Sequence, residues 1–461
     1  MTPEDHKLFG DIVKQSVPRN EVGSKFCALR ATDEDVRTFQ RIRLQQNRTQ
    51  LDRWIDRGPG TPLRKTLARI NRALGNPGRF LRAVQAAARG TFRSGIAVAA
   101  RHNVDIATQF LQMLAEVTRS GIWSEEYYLY QLYIPERWRT RARQFPRCSQ
   151  SRPALRLLVE YNHTPDSPLL DQKHLFAARC REAGLPDIHL IAQFIDGQPD
   201  GKFEVLPSID LFSKPAAQYG GSGADAWRYD RDQSCFFNVA TDQRFSSDAL
   251  FEGLCNLSRS GRVILQKRLR NHPALLPLTN GGLSTLRIVT CKTPVGSIDL
   301  MPPVICMPTG RLVVDNFLQG GLVAPIDFAT GRICGPALQK DNRLGLISTD
   351  KHPDTGQEFK GFSIHMWSEA VELARLAHEK FPSMHFIGWD IAILQDGPVL
   401  VEGNCPFDTD LTVLPHGRSL SDTQFIPYYN YHWARSVSEN VWTSSNHRGN
   451  RVRPAINDYQ K

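Results

Sequence analysis

The feature that most constrains the fold is a β-hairpin near the end of the chain, FIGWDIAILQDGPVLVEGN at residues 386–404. Each half is apolar with one or two isolated polar residues, and the segment QDG between the halves ends in glycine. This pattern is typical of a three-residue loop built on a type I turn, whose last residue adopts the left-handed conformation. Such a loop pairs Leu394 with Pro398 and thereby sets the register of the two strands.

That register places Asp390 directly opposite Glu402, with their Cβ atoms about 5 Å apart. Asn404, two residues further on, projects from the same face. Because two opposed carboxylates repel each other, the arrangement predicts a cation, and hard oxygen ligands with room for phosphates and water suit Mg²⁺. A two-residue Asp-Gly turn would instead put the two carboxylates on opposite faces, and the sequence leaves both turns open.

A lysine followed by glycines forms a second signal. The run SIDLFSK alternates like a strand and ends at Lys214, Pro215 ends the ladder, and the segment GGSG follows at residues 220–223. The backbone N–H groups of such a segment can fold over an anion. The segment is not a Walker A loop, which requires GxxxxGK[ST] before a helix, and a flexible loop is the alternative interpretation.

Three further polar residues stand at positions that suit anion binding. Asn316 follows the run RLVVD and precedes the pair Gly320-Gly321, which would let a phosphate approach the backbone. Arg287 lies among apolar neighbours in TLRIVT, where a cation must face solvent or an anion. Lys173 begins a predicted helix. A salt bridge is the alternative for Arg287, and a solvated side chain is the alternative for Lys173.

The chain changes character near residue 150. Before it, segments such as TLARINRALG and FLRAVQAAARG have helical spacing, and YYLYQLY predicts a buried helix or strand. After it, short β-rich runs alternate with helices at residues 173–184, 247–257 and 367–381. The predicted strands are LRLLVEYN, IHLIAQF, SIDLFSK, RVILQKRL, TLRIVTC, PPVICM and RLVVDNF, followed by the hairpin.

The order of these features resembles the ATP-grasp superfamily over roughly residues 155–430. In detail the chain is similar to the sugar-transfer associated ATP-grasp family, on the motifs TLRIVT, VDNFLQGG, HPDTG and GWDIAILQDGPVLVEGN. The resemblance implies an α+β, two-lobed ATP-grasp fold preceded by a mainly helical N-terminal region. We expect a helical region over residues 1–150, a first lobe over 151–270, a second lobe over 271–436, and a C-terminal tail over 437–461.

The resemblance also implies ATP and Mg²⁺ as cofactors and a role for each candidate residue. The lysines would neutralise the nucleotide phosphates, the glycine loop would close over them, and a hinge would bind adenine. Arg287 would stabilise the charge on the transferred group, with Asn316 and Lys214 beside it. The implied phosphate-binding residues are Lys173, Lys214, Gly220, Gly221 and Gly223; the hinge is Gln266, Lys267, Arg268 and Leu269; the magnesium ligands are Asp390, Glu402 and Asn404.

The activity that the resemblance implies is ligation of a carboxylate to an amine. A small-molecule or peptide carboxylate attacks the γ-phosphate of ATP, and an amine then displaces phosphate from the acyl phosphate. The family name suggests glycan or secondary-metabolite assembly. A phosphotransferase with the same ATP site and a non-catalytic nucleotide-binding homologue are the alternatives. His365 stands where the family pattern has proline, so the cap of the next helix and the acceptor pocket stay open; His365 is interpreted as a structural histidine or an acceptor-side base.

The net charge of +10 is concentrated in one stretch. Between Asp56 and Asp105 there is no acidic residue, while ten Lys and Arg lie between Arg57 and Arg101. Such a surface could meet an acidic carrier protein or a membrane, or be a solvated helix face. No binding motif accompanies it, so we expect no nucleic acid. The chain has no apolar run of transmembrane length and nine scattered cysteines, which favours a cytoplasmic protein.

Overall fold

The computed structural model of the chain describes residues 32, 34–39, 77–120, 122–134, 148–216, 223–341 and 343–446. Two predicted features lie outside these ranges, namely the helical segment TLARINRALG and the glycines Gly220 and Gly221. Within the ranges, no helix combines the length and hydropathy that crossing a bilayer requires. The cysteines in these ranges are free thiols.

The described part of the N-terminal region is helical. Its elements are α1 (Pro77–Gly90), a π-helical turn (Thr91–Gly95), α2 (Ile96–His102), α3 (Ile106–Ser120) and α4 (Ser124–Leu129). The prediction of a helix in FLRAVQAAARG is confirmed. The run YYLYQLY begins in α4 and continues as a turn, and all four of its tyrosines are buried.

The prediction of a strand in LRLLVEYN is wrong, because this run lies in α5 (Cys148–Tyr161). Ala154, Leu155 and Leu158 are buried at helical spacing, and Arg156 between them is exposed. A short apolar run does not by itself distinguish a strand from a buried helix, and here the helical period decided the structure.

The first sheet has seven strands in the order β2-β1-β7-β3-β4-β5-β6, and all of its pairings are antiparallel. Its elements follow α6 (Ser167–Asp171) and α7 (Lys173–Glu182), and are β1 (Leu190–Ile195), β2 (Gln198–Pro199), β3 (Leu211–Pro215), β4 (Asp225–Asp230), β5 (Cys235–Asn238), β6 (Arg244–Ser246), α8 (Ser247–Ser258) and β7 (Val263–Lys267). The predicted helices at α7 and α8 and the strands at β1, β3 and β7 are confirmed. Leu250 and Leu254 of α8 pack with Phe194 and Phe236 in one core.

The second sheet has nine strands, in the order β14-β13-β11-β10-β8-β15-β16, with β9 beside β8 and β12 beside β11. Its elements are β8 (Thr285–Lys292), β9 (Ile298–Leu300), β10 (Val304–Met307), β11 (Leu322–Asp327), β12 (Arg332–Ile333), β13 (Ala337–Asp341), β14 (Gly345–Thr349), α9 (Trp367–Glu379), β15 (Phe386–Leu394), β16 (Gly397–Asn404), α10 (Asp410–Val413) and α11 (Phe425–Asn446). The predicted strands at β8 and β10, the helix at α9 and the hairpin β15–β16 are confirmed.

Helices cover both faces of the second sheet. Because successive residues of a strand point to opposite faces, Ile305 and Met307 of β10 join the large core that includes α9 and α11, whereas Val304 and Cys306 join the core formed with the tyrosines near α4. A Cβ at Gly345 would lie 2.2 Å from the Tyr128 carbonyl oxygen. The N-terminal helices are therefore packed tightly against this sheet.

The run RLVVDNF, predicted as a strand, forms only an isolated bridge between Leu283 and Val314. The run follows β10 in the chain. Because β10 already pairs with β8 on one side and with β11 on the other, it has no free edge with which the run could pair. Asn316 caps a 3-10 helix (Phe317–Gln319), accepting a hydrogen bond from the Leu318 N–H at 2.9 Å. The segment crosses the cleft described below instead of extending the sheet.

The last helix, α11, passes through residue 437, where the sequence predicts the start of a loosely ordered tail. Trp433 and Val437 lie four residues apart on its buried face and join the large core, which explains why the helix continues. Residues beyond 446 lie outside the described ranges.

The hairpin β15–β16 reaches the predicted pairing of Asp390 with Glu402 through a different register. Leu394 pairs with Gly397, so the loop has two residues, Gln395 and Asp396, and the predicted three-residue loop is wrong. The Asp-Gly alternative is also wrong, since the turn lies one residue earlier. A β-bulge then follows, because Ile391 pairs with Leu400 while Asp390 pairs with Glu402. The extra residue, Val401, brings the carboxylates back onto one face.

Gly403, between the two predicted ligands of β16, lies where a side chain does not fit. A Cβ there would come within 2.7 Å of Leu170 Cδ2 and 2.8 Å of Trp389 Cζ3. We expect Gly403→Ala to lower the free energy of unfolding by about 1–3 kcal/mol through overpacking. The control is Gly253→Ala in α8, where no atom lies within 4 Å and helix propensity favours alanine by about 1 kcal/mol. Urea unfolding of both variants checks this, and equal stabilities would contradict it.

Candidate active site

Most of the predicted site residues line one cleft between the two sheets, with a volume of about 370 Å³. Strands β3 and β7 form the wall from the first sheet, and β8, β15 and β16 form the wall from the second. The predicted residues that line the cleft are Lys173, Lys214, Gln266, Lys267, Arg268, Leu269, Arg287, Asn316, Asp390, Glu402 and Asn404. Gly223, with a φ of 70°, is described but does not line the cleft, although Ala224 beside it does.

The second sheet presents its charged residues as a single cross-strand row. Arg287 of β8 pairs with Val304 of β10 on one side and with Asp390 of β15 on the other. Asp390 in turn pairs with Glu402 of β16. Because residues that pair across strands share a face, Arg287, Asp390 and Glu402 all point to the same side of the sheet.

Arg287 and Asp390 form a bidentate ion pair. Arg287 Nε donates to Asp390 Oδ1 at 2.6 Å, and Nη2 donates to Oδ2 at 3.0 Å. The two side chains are only 13% and 16% exposed. Burial opposes the charge on Arg287, but the Asp390 carboxylate more than offsets this and raises the pKa of the guanidinium above its ordinary value. The sequence predicted that Arg287 faces solvent or an anion. In the structure this anion is the carboxylate of Asp390, one of the predicted magnesium ligands.

The other two predicted ligands lie beside this pair. Asn404 Nδ2 donates to Asp390 Oδ2 at 3.2 Å, and Lys173 Nζ lies 3.7 Å from Glu402 Oε1. Carboxylate and amide oxygens on adjacent strands are the hard donors that Mg²⁺ takes, and a set of three leaves positions for phosphate and water. The donor set of Asp390, Glu402 and Asn404 thus fits a magnesium ion.

Two lysines bring positive charge to the same end of the cleft. Lys173 stands at the first turn of α7, and Lys214 lies in β3. Burial lowers the pKa of Lys214, and the negative charge of Glu402 opposes that effect while Lys173 adds to it. An anion entering here would favour the charged form of Lys214.

The predicted hinge also lines the cleft. Gln266 pairs with Leu190 on one side and Phe212 on the other. The Arg268 N–H donates to the Asp210 carbonyl oxygen at 3.0 Å, and Arg268 Nη2 donates to the Gly281 carbonyl oxygen at 2.9 Å. The backbone donor of Arg268 is therefore used within the protein.

Asp315 is a cleft residue that the sequence interpretation missed. It precedes Asn316 in the motif VDNFLQGG, and its carboxyl accepts a hydrogen bond from the Thr285 hydroxyl. Burial, together with the negative charge of Asp390, raises its pKa to about 7. A carboxylate beside a polar strand end is a signal in the sequence, but its burial depends on how the segment after β10 crosses the cleft.

Cys148, Asp408 and Asp410 also come together, with one ligand atom from each within 4.8 Å of the others. Asp410 already accepts hydrogen bonds from Tyr130 Oη at 2.6 Å and from the Cys148 N–H at 3.0 Å. Burial and the two aspartates raise the pKa of the Cys148 thiol, which disfavours the thiolate that metal binding requires. The hydrogen bond between Tyr130 and Asp410 links the tyrosines near α4 to α10.

Two features of the resemblance lie away from the cleft. His365 is exposed and stacks on His272, with ring centroids 4.1 Å apart, and it does not line the cleft. The N-cap of the following helix, α9, is Met366, whose φ is 52° and whose side chain makes no capping hydrogen bond. In HPDTG, His352 is buried with Nε2 3.2 Å from the Pro308 carbonyl oxygen, so this motif braces the end of β10.

Two sheets that face each other across a cleft with paired carboxylates and lysines define an α+β, two-lobed ATP-grasp fold. The chain belongs to the sugar-transfer associated ATP-grasp family, whose model matches residues 153–425. The resemblance drawn from the sequence motifs is therefore confirmed. Among curated proteins, none has a sequence that matches this chain.

Several solved structures are similar to part of the chain. An N5-carboxyaminoimidazole ribonucleotide synthetase in complex with ADP is 10% identical, with a TM-score of 0.31, over 52% of this chain and 45% of the synthetase. A D-alanine–D-alanine ligase from Bacillus anthracis complexed with ATP is 13% identical, with a TM-score of 0.31, over 61% and 69%. An L-amino acid ligase from Bacillus licheniformis is 12% identical, with a TM-score of 0.32, over 57% and 48%. The chain thus spans less than half of the synthetase and of the L-amino acid ligase.

The raised pKa of Asp315 predicts a pH-dependent difference in stability. Between the ordinary carboxyl pKa of 3.8 and about 7, the folded chain retains a proton that the unfolded chain releases, so raising the pH through this window destabilises the fold. Asp315→Asn removes the titration and keeps an acceptor for Thr285. In EDTA, we expect the variant to gain about 3 °C in Tm over wild type between pH 5 and pH 8, as measured by scanning calorimetry. A difference in Tm that is independent of pH would contradict this.

Proposed function

We propose that this chain is an ATP- and Mg²⁺-dependent ligase that joins a carboxylate to an amine and releases ADP and phosphate. The observation that carries the proposal is the convergence of Lys173, Lys214 and Arg287 with the oxygen donors of β15 and β16 in one cleft. Membership of an ATP-grasp family supports it. The family description supports a setting in glycan or secondary-metabolite assembly.

The phosphate end of ATP is assigned to the charged end of the cleft. Lys173 and Lys214 would neutralise the phosphates, and the loop at residues 220–223 would close over them. Lys214 suits this role because burial lowers its pKa, and a phosphate beside it would favour its charged form. The segment Gln266–Leu269 would contact adenine with its apolar atoms and its remaining backbone groups.

Asp390, Glu402 and Asn404 would hold magnesium. When bound, the ion would neutralise the charge that builds up on the nucleotide phosphates. Arg287 contributes in two ways under this proposal. Its fork fixes the orientation of the Asp390 carboxylate, and its positive charge opposes the burial that raises the pKa of that carboxyl.

The reaction proceeds in two displacements. A substrate carboxylate oxygen attacks the γ-phosphorus, the bond to the β,γ-bridging oxygen breaks, and ADP leaves. The amine then attacks the carbonyl carbon of the acyl phosphate, loses a proton, and displaces inorganic phosphate to give the amide. Lys214, Arg287 and Asn316, which line the cleft, would stabilise the transferred group, because phosphoryl transfer depends on positioning and charge neutralisation.

The diagnostic experiment traps the acyl phosphate. The protein is incubated with ATP, Mg²⁺ and a panel of carboxylic acids in the presence of hydroxylamine, and hydroxamate and ADP are measured. The ligase produces hydroxamate and ADP in equal amounts, with an acid in the panel that fits the cleft. A stable phosphomonoester without hydroxamate would identify a phosphotransferase instead. Nucleotide binding without turnover across the panel would identify a non-catalytic homologue.

Paired substitutions distinguish a role in magnesium binding from a role in folding. We expect Glu402→Gln to lower kcat by at least about 100-fold, because it removes one negatively charged carboxylate ligand of the metal. The fold should be retained, because the Glu402 side chain is 23% exposed. Asp390→Asn should lower kcat as strongly and also destabilise the fold by about 3 kcal/mol, since it leaves the buried Arg287 charge without a partner. Circular dichroism and thermal unfolding follow the fold.

The matched control for these substitutions is Glu358→Gln. Glu358 forms an exposed salt bridge with Lys351, at 2.9 Å, outside the cleft. Its loss should change neither turnover nor stability by a measurable amount. Normal ATP turnover in Glu402→Gln, at a rate equal to that of the control, would refute the metal assignment.

A further inference from the structure

Helices α1 and α2, with the π-helical turn between them, carry an exposed apolar stripe on the side opposite their buried face. Phe92 is 88% exposed and Ile96 is 68% exposed. Ala88 of α1 and Ala100 of α2 are also exposed, and they continue the same four-residue spacing on either side of Phe92 and Ile96. Single exposed apolar residues are common on protein surfaces, whereas a continuous stripe that includes a nearly bare phenylalanine marks an interaction site.

The orientation of this stripe is set by the opposite face of the same helices. Ala87 and Val98 are completely buried and join the core with Met113 and the tyrosines. Gln109 of α3 donates from Nε2 to the Gly95 carbonyl oxygen at 3.1 Å, which ties the π-helical turn to its neighbour. Phe92 and Ile96 therefore point outward because the helix is anchored from behind.

Arginines border the stripe. Arg89, Arg93 and Arg101 are exposed. They belong to the stretch between Asp56 and Asp105 that contains no acidic residue, and Glu125 of α4 lines a surface cavity together with Arg89 and Arg93. Guanidinium groups at the edge of an apolar helix face match the phosphates of a lipid headgroup layer, with the apolar side chains reaching toward the acyl chains.

We propose that this stripe docks the chain on an anionic lipid surface. Phe92 and Ile96 enter the boundary between headgroups and acyl chains, and Arg89, Arg93 and Arg101 contact lipid phosphates. A lipid surface is favoured over a protein partner because Phe92 and Ile96 project as a ridge from a single helix, and a deformable surface accommodates a ridge without a complementary groove. The inference is independent of the reaction in the cleft.

Docking of this kind is reversible and depends on salt. A short apolar stripe together with a few basic residues gives weak binding that relies on both contributions, so removing either one should be measurable. The positive charges act only within about 10 Å at 0.1 M salt, so raising the ionic strength should weaken binding.

The test is co-sedimentation of the full-length protein with vesicles of phosphatidylcholine alone or with phosphatidylserine added. We expect wild type to bind the mixed vesicles at 50 mM salt, and to bind at least tenfold more weakly to neutral vesicles or at 500 mM salt. The double variant Phe92→Ser/Ile96→Ser should bind the mixed vesicles at least tenfold more weakly, and Arg89→Gln/Arg93→Gln at least threefold more weakly. ATP turnover should be unchanged in both.

Val295→Ser is the matched control. Val295 is 78% exposed in the turn between β8 and β9, so it tests whether loss of any exposed apolar side chain has the same effect. Vesicle binding at the level of wild type is expected for it. The proposal is wrong if wild type ignores the mixed vesicles, or if Phe92→Ser/Ile96→Ser binds them as Val295→Ser does. It is also wrong if wild type binds polyglutamate more tightly than it binds the mixed vesicles, which would indicate an acidic protein partner.

Discussion

The buried ion pair between Arg287 and Asp390 is the interaction on which the candidate site depends. Asp390 stands opposite Glu402 on the neighbouring strand, and two carboxylates at cross-strand distance would repel each other and resist burial. The Arg287 fork compensates one of them at 2.6 and 3.0 Å, and Lys173 lies near the other at 3.7 Å. The oxygen donors are thus held in place by cations of the protein itself. Removal of Arg287 or Asp390 would leave the other as a buried charge without its partner.

The surrounding structure keeps that row of charges at the cleft. Helices cover both faces of the second sheet, so its strands are fixed from two sides, and the bulge at Val401 turns Glu402 toward Asp390. Gly403, where a Cβ would meet Leu170 and Trp389, allows β16 to pack closely behind the site. The N-terminal helices contribute through the tyrosines that pack on Val304 and Cys306, next to Arg287 in the same sheet. The helical region and the site are therefore mechanically connected.

Patterns with a strong local cause were predictable from the sequence. Short β-rich runs predicted β8, β10 and the hairpin. Isolated polar residues within or after such runs, together with the family resemblance, predicted most of the residues that line the cleft. What failed depended on tertiary context. LRLLVEYN has an apolar pattern that suits either structure, and packing made it a helix. RLVVDNF lacks a strand because β10 already has two neighbours. The pairing of Asp390 with Glu402 was correct although the loop was wrong, because a bulge that no sequence rule indicated replaced the missing loop residue. The partner of Arg287 and the burial of Asp315 likewise arise only when distant segments meet.

The central claim is that Asp390, Glu402 and Asn404 hold a divalent ion shared with the phosphates of ATP. Anomalous diffraction from crystals grown with Mn²⁺ and a non-hydrolysable ATP analogue measures the position of the ion directly, since manganese scatters anomalously near its absorption edge. We expect an anomalous peak within about 2.5 Å of oxygens of Asp390 and Glu402, next to the triphosphate. An analogue bound in the cleft with the metal coordinated elsewhere, or a nucleotide bound outside the cleft, would contradict it.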